Sequence, residues 1–237
     1  MSAYKCLANY YNRFTTEDAD YNAWAQFILR KIPATAQKGL DLACGTGKMT
    51  RILAANRLDV VGMDVSQEML SQATAQGGKC RYVCQSLQDL QAPSRVDFVT
   101  VVNDGVNYLA PTETAGFFGK VHSALKTGGV FIFDLSSQYK LTNVVGNNVF
   151  FVDDEDVTCL WSNSLSNGKV QMDLTFFVKD GNAYQRYDET HLQYVHSTAK
   201  VVDQLIQAGF LVQCFDNYTT NPATDTSQRV TFVATKQ

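Results

Sequence analysis

The sequence predicts an α/β protein, a mostly parallel sheet with helices on both faces that carries one antiparallel β insertion. Three observations lead there. From Gly39 to Leu135 short apolar runs alternate with helical segments, the pattern of parallel strands joined by helical crossovers. From about Asn147 to Val195 that rhythm gives way to strand-like segments joined by "SNGK" and "KDGN", which are hairpin signals. The 237 residues, 45% apolar and 18% charged, suffice for one large domain with such an insertion.

The elements follow in order. Tyr21, Trp24, Ile28 and Lys31 fall at helical spacing within 17–31, with Thr15 or Thr16 as cap and Pro33 as stop. "GLDLAC" reads as the first strand and "KMTRILAAN" as a helix. "LDVVGMDV" is the second strand, and "SQEMLSQATAQGG" is a helix with Ser66 as cap and Gly77 as stop. "CRYVC" and "RVDFVTVVN" are the next two strands, in which Cys80 and Cys84 read as small core residues. "PTETAGFFGKVHSALKTGG" is a helix with Pro111 in its first turn and Gly128 past its end. "GVFIFDL" is the fifth strand. After an insertion of three or four antiparallel strands, "TAKVVDQLIQAGF" returns to helix, and "LVQCFDNY" and "QRVTFVATK" close as strands.

Composition narrows the function. The net charge is -3 and no run of Lys or Arg occurs, so the overall field disfavours an RNA partner. Six cysteines (Cys6, Cys44, Cys80, Cys84, Cys159, Cys214) form neither a CxxC pair nor a His/Cys cluster. No metal is therefore expected. With no secretory leader and no apolar span, the reading is a cytoplasmic protein with reduced thiols and no membrane partner. The oligomeric state is not encoded in these patterns.

The stretch "GLDLACGTGKMT", Gly39 to Thr50, carries the chemistry. Its glycines let a ligand approach the backbone, and the following helix presents N–H groups. Thr50 stands where a G-x-G-x-x-G motif has its third glycine, which weakens a nicotinamide-dependent oxidoreductase reading, and P-loop spacing is absent. Asp64 ends the second strand, where a carboxylate can accept hydrogen bonds from both hydroxyls of a ribose. The set suits a nucleoside.

"LDLACGTG" with "GMDVSQEML" resembles the class I S-adenosylmethionine-dependent methyltransferases. "ANYYNRFTTEDADYNAW", "FIFDLSSQYKL" and the late hairpins resemble one bacterial subgroup of small members. The resemblance implies a Rossmann-like sheet of seven strands, the last antiparallel, with S-adenosylmethionine across the ends of the first strands. Asp41, Ala43, Gly45 and Gly47 would surround its methionine portion, with Thr46 in the same turn. Asp64 would hold the ribose, with Val65 and Met69 beside the adenine. Ser86, with Leu87, stands where such enzymes usually offer an Asp to the adenine. Asn103 would sit near the sulfonium, and Tyr11, Tyr21 and Trp24 would fold over the cofactor. The implied layout is a single domain over 1–237, with a lid at 1–32, a cofactor-binding core at 33–140 and 196–237, and an acceptor side at 141–195.

Each assignment has a bland alternative. The glycines could make a mere tight turn, Asp64 could only cap the next helix, and Asp41 could only brace the turn. Tyr21 and Trp24 could be the core face of an amphipathic helix.

Methyl transfer needs alignment first, and a base only if the acceptor must lose a proton. The candidate bases are Asp104, at a strand's carboxyl end, and His191 or His196. His122 and the acidic run at 153–156 read as structural or solvated. "Asn-Asp-Gly-Val" is not the Asn/Asp-Pro-Pro-Tyr motif of amino-methylating DNA and protein enzymes. The late strand carries Tyr194 and His196 where the subgroup usually has an Arg and a Tyr. The expected activity is transfer to an N or O atom of a small molecule. Its pocket would draw on Phe150, Phe151, Trp161, Phe176, Phe177, Tyr184 and Tyr187, aromatics that equally suit a sheet packing on the core. The alternatives are an RNA methyltransferase and a protein that binds S-adenosylmethionine or S-adenosylhomocysteine without turnover.

Overall fold

The computed structural model describes residues 19–237; Tyr11, Thr15, Thr16 and Cys6 lie outside them. Helix α1 (Tyr21–Lys31) opens the described chain, and Asp20 caps it by accepting from the amides of Asn22 and Ala23. Strand β1 (Lys38–Leu42), helix α2 (Lys48–Ala55), strand β2 (Asp59–Asp64) and helix α3 (Gln67–Ala75) follow as read. Ser66 caps α3 as expected, its hydroxyl accepting from the Met69 amide. Strands β3 (Arg81–Cys84) and β4 (Val96–Val101) lead to a 3₁₀ turn (Gly105–Tyr108), helix α4 (Thr114–Ala124) and strand β5 (Leu125–Ser136).

A π-helical turn (Lys140–Val145) then introduces the insertion, made of β6 (Val149–Asp154), β7 (Val157–Ser166), β8 (Lys169–Asp180) and β9 (Ala183–Tyr194). Helix α5 (Thr198–Gln207) and strands β10 (Phe210–Asp216) and β11 (Arg229–Lys236) complete the chain.

Seven strands lie in the order β10-β11-β5-β4-β1-β2-β3, and β11 runs antiparallel to both neighbours. Side chains alternate across the strands, so each one feeds two cores. Phe98, Val130, Ile132 and Val233 pack with Phe27, Ile28, Met49 and Leu53 of α1 and α2. Val99, Phe131, Phe133 and Phe232 pack with Phe117, Phe118, Val121 and Leu205 of α4 and α5. The insertion forms a separate four-stranded sheet, β6-β7-β8-β9. Its inner residues Val157, Cys159, Val170 and Phe176 pack on Leu141 and Val145. No helix among the described residues is long and apolar enough to cross a membrane.

Several local expectations need correction. Cys80 is half-buried and Cys84 exposed, because β3 takes the edge of the sheet, where its pleat is poorly covered. Pro111 precedes α4 instead of lying in its first turn, and β5 begins directly after the helix, with Gly128 at φ +75 inside it. The first hairpin turns at Asn167-Gly168, both with positive φ, as an Asn-Gly pair demands. The second turns one residue later than Asp-Gly, at Gly181-Asn182. Asp153 and Asp154 belong to β6, so only Glu155 and Asp156 make the turn there.

Candidate active site

The end of β1 turns sharply into α2 through left-handed residues Ala43 (φ 50), Gly45 (φ 53) and Gly47 (φ 70). Gly47 is the N-cap position of α2. A Cβ on Gly47 would lie 2.4 Å from Tyr82 Oη, whereas one on Gly45 would meet nothing within 4 Å. The two glycines thus differ in purpose: Gly47 admits the Tyr82 ring beneath the turn, and Gly45 leaves the space above it open. Arg51 Nη1 braces the turn by donating to the Thr46 carbonyl at 2.7 Å.

Two carboxyls organise this turn. Asp41 is fully buried and accepts from Thr50 Oγ1 at 2.5 Å and Thr100 Oγ1 at 2.8 Å; burial pushes its pKa up to about 6 against these hydroxyls. It does not border the cavity, and its two hydroxyl bonds brace the turn. Asp64 stands at the cavity wall and accepts from the Gly45 amide at 2.8 Å and the Ser66 amide at 2.9 Å. Burial raises its pKa, with those amides opposing. A carboxylate offers about four acceptor sites, so two amide bonds leave room for ligand hydroxyls. The Thr50 that stands in place of a third glycine has a role of its own as a donor to Asp41.

One cavity of about 470 Å³ rises from this turn. Tyr21, Ala43, Gly45, Thr46, Asp64, Val65, Met69, Ser86, Leu87 and Asn103 all border it, as do two of the three candidate bases, Asp104 and His191. Trp24 does not. It is 3% exposed, stacked 4.7 Å from Tyr218, with the Arg229 guanidinium 4.9 Å from its ring. Trp24 packs on the core side of α1. Tyr21 faces the cavity with Lys48 Nζ 4.7 Å over its ring. Ser86 Oγ donates to Asp89 Oδ2 at 2.7 Å, so a carboxyl does stand in that loop, three residues later than expected.

Asn103 and Asp104 are both left-handed, at φ 62 and 56. Their amides donate to Asp134 Oδ1 and Oδ2 at 2.7 and 2.9 Å. Asp134 also pairs with Arg229 and accepts from Tyr218 Oη at 2.6 Å. Arg229 Nη2 donates to Asn103 Oδ1 at 3.2 Å. Asp134, Tyr218 and Arg229 escaped the sequence reading; an acid inside the apolar run "FIFDL" and an Arg opening "RVTFVA" were the available signals. Burial raises the pKa of Asp104, opposed by Arg229 and Lys140, and Ser136 Oγ donates to it at 2.9 Å.

His191 is buried, its Nε2 3.4 Å from Glu189 Oε2. His196 is buried outside the cavity, and burial lowers its pKa. His122 packs edge-on to Phe210 at 5.1 Å, away from the site. Of the expected pocket aromatics, Phe150, Phe151 and Trp161 line the cavity. Phe176 lies in the insertion's own core and Phe177 is half-buried outside the lining. Tyr184 and Tyr187 face solvent, being on the uncovered end of β9.

A β1–α2 glycine turn, an acid ending β2 and an antiparallel β11 beside β5 together define a nucleoside-binding α/β enzyme fold. The chain belongs to the class I S-adenosylmethionine-dependent methyltransferases. A methyltransferase-domain family model matches residues 40–129. The solved structure of an S-adenosylmethionine-dependent methyltransferase from Clostridium acetobutylicum ATCC 824 is 34% identical, covers 98% of each chain and superposes with a TM-score of 0.89. A protein of Geobacillus sp. (strain WCH70), provisionally named a methyltransferase, is 33% identical over 247 residues, covering 98% of this chain and 99% of its own. The sugar N-methyltransferase KedS8 from Streptoalloteichus sp ATCC 53650 shares the fold, with a TM-score of 0.83 at 16% identity, over 100% of this chain and 94% of its own. The protein is thus a methyltransferase that uses S-adenosylmethionine.

Proposed function

We propose that this enzyme transfers the methyl group to an N or O atom of a small molecule held between the insertion and the Asn103–Asp104 turn. One observation carries the reading: a single cavity runs from Gly45 and Asp64 to Trp161 and His191, so cofactor and acceptor can share one continuous space. In this layout 33–140 and 196–237 hold the cofactor, and 141–195 form the acceptor side.

The cradle fits S-adenosylmethionine because Gly45 opens onto free space and Asp64 keeps acceptor capacity beside it. Ala43, Gly45 and Thr46 would hold the methionine portion, Asp64 the ribose, and Val65, Met69, Ser86 and Leu87 the adenine. The cofactor supplies an electrophilic methyl carbon on a sulfonium. The residues do the rest by placement. Alignment of reacting atoms can contribute roughly 7–11 kcal/mol. The left-handed Asn103–Asp104 turn is held rigid by Asp134, which suits that task. Asp104 and His191 face the cavity and are the groups able to accept a proton from an acceptor that must lose one.

The test incubates the protein and a cell extract with S-adenosylmethionine labelled in its methyl group, then separates RNA, protein and small molecules. Label in the small-molecule fraction, absent with Asp64→Ala, supports the reading. Label in RNA alone would replace it with an RNA acceptor.

A further inference from the structure

The insertion lines its part of the cavity with apolar side chains. Strand register sets Phe150 opposite Trp161 and Trp161 opposite Leu174, so one row across β6, β7 and β8 is apolar. All three border the cavity, with the Phe150 and Trp161 rings 5.4 Å apart. Leu141 and Val145 of the π-helical turn and Met172 of β8 extend the same wall. His191 and Gln193, both on β9, supply the insertion's polar side chains there.

Polar atoms around this wall are spent within the protein. Trp161 Nε1 donates to Asn163 Oδ1 at 2.5 Å, which leaves the indole ring to the cavity. Ser136 Oγ donates to Asp104 Oδ2 at 2.9 Å, and Asn103 Oδ1 accepts from Arg229 Nη2 at 3.2 Å. The charges cancel as well. Among the described residues, the charged side chains bordering the cavity are Lys48, Asp64, Asp104 and Lys140. Lys48 lies over Tyr21 beside the glycine turn, and Lys140 acts on Asp104. Asp134, Arg229 and Glu189 lie outside the lining, the first two paired with each other and Glu189 set against His191 Nε2 at 3.4 Å. A charged head entering this space loses its water and meets no opposite excess to replace it. An uncharged ring loses little and gains the faces of Trp161 and Phe150. An alkylammonium would also meet the like charge of the cofactor's sulfonium.

Resting on the reading of this cavity as the methyl-acceptor site, we propose that the acceptor is an uncharged molecule with an aromatic ring, neither an alkylammonium nor a carboxylate. Its ring lies along Phe150, Trp161 and Leu174. Its methyl-accepting hydroxyl or aromatic nitrogen points to the Asn103–Asp104 turn.

The experiment uses the full chain saturated with S-adenosylhomocysteine and three probes of equal body: 2-phenylethanol, 2-phenylethylamine and phenylacetate. The alcohol is expected to bind about tenfold or more tightly than either charged probe, because only the charged heads must be stripped of water without compensation. Lys140→Met leaves the lining one cation short, so the amine should close on the alcohol while the acid falls further behind. Trp161→Ala should weaken all three probes while S-adenosylhomocysteine binding persists. The preference in the wild-type protein stands as a test by itself if a variant melts early. Equal or tighter binding of the amine or the acid overturns the proposal, as does binding of none of the three to protein that holds S-adenosylhomocysteine. A ranking that Lys140→Met leaves untouched overturns charge balance as its cause. Binding that ignores Trp161→Ala strikes the acceptor-site reading instead, and failure to hold S-adenosylhomocysteine at all strikes the cofactor-site reading.

Discussion

Asp134 and Arg229, far apart in the chain, form an ion pair sealed between β5 and β11 directly beneath the Asn103–Asp104 turn, with side chains 0% and 9% exposed. The carboxylate spends its remaining acceptor capacity on the two amides of that turn and on Tyr218 Oη. The pair therefore does two things at once. It neutralises a charge that could not otherwise be buried, and it holds two non-glycine residues in a left-handed conformation that costs on the order of 1–2 kcal/mol each.

Asp134→Ala should be among the most damaging substitutions in the protein. It strands Arg229 and releases the turn. Removing one partner of a buried pair costs about 3–5 kcal/mol, which urea unfolding would read directly. Replacing Asp134 and Arg229 together should cost less than Asp134→Ala alone. A double variant as unstable as the sum of the singles would show that the two residues do not act as a pair.

The glycines of the turn should separate cleanly. Gly45→Ala meets only the left-handed penalty, about 1–2 kcal/mol, because nothing lies within 4 Å of the new methyl. Gly47→Ala adds a clash with Tyr82 Oη at 2.4 Å. It should melt well below Gly45→Ala, and adding Tyr82→Ala should recover part of the loss. Thermal denaturation of the three proteins suffices; no recovery would mean the Tyr82 ring is not what demands Gly47.

Asp64→Ala should weaken S-adenosylhomocysteine by about 1.5–3 kcal/mol, the scale of hydrogen bonds to a charged group. It also frees the Gly45 amide, so the loss is expected at the upper end. Calorimetric titration checks it, and unchanged affinity in a folded variant would remove Asp64 from the ribose site.

Trp24 tests core against lid. Packed on Tyr218 and away from the cavity, Trp24→Ala should cost about 3–5 kcal/mol of stability and leave cofactor affinity nearly unchanged below the melting range. A large loss of affinity without a loss of stability would restore the lid assignment.

Asp41 gives a pH signature. Its pKa is raised in the fold from 3.8 to about 6 by burial. Between those values the native state holds a proton that the unfolded chain has lost, so stability falls as pH rises through that window, by a contribution on the order of 3 kcal/mol. Below the window this contribution is fully present. Asp41→Asn should lack that downward component, so wild-type and variant stability curves should diverge between pH 4 and 6. Parallel curves would refute it.

What the sequence determined by itself is whatever local spacing encodes. The strand and helix alternation, the turn around Gly45 and Gly47, Asp64 at the end of β2 and the Asn167-Gly168 hairpin each rest on residues close together in the chain. Those short-range preferences survive into the fold, so the glycine-turn end of the cavity was legible.

The tertiary structure alone decided the rest, because sheet order brings together residues with no periodic relation. Apolar composition could not show that β3 would lie at the edge and expose Cys84. Helical spacing could not show whether Trp24 faced a ligand or Tyr218, since either face would be apolar. Asp134 met Arg229 only because β11 inserts antiparallel beside β5. His191 met Tyr108 of the 3₁₀ turn only because β9 docks on that turn. Local physics specified the glycine turn; the buried charges around Asp104 had to wait for the strands to find their neighbours.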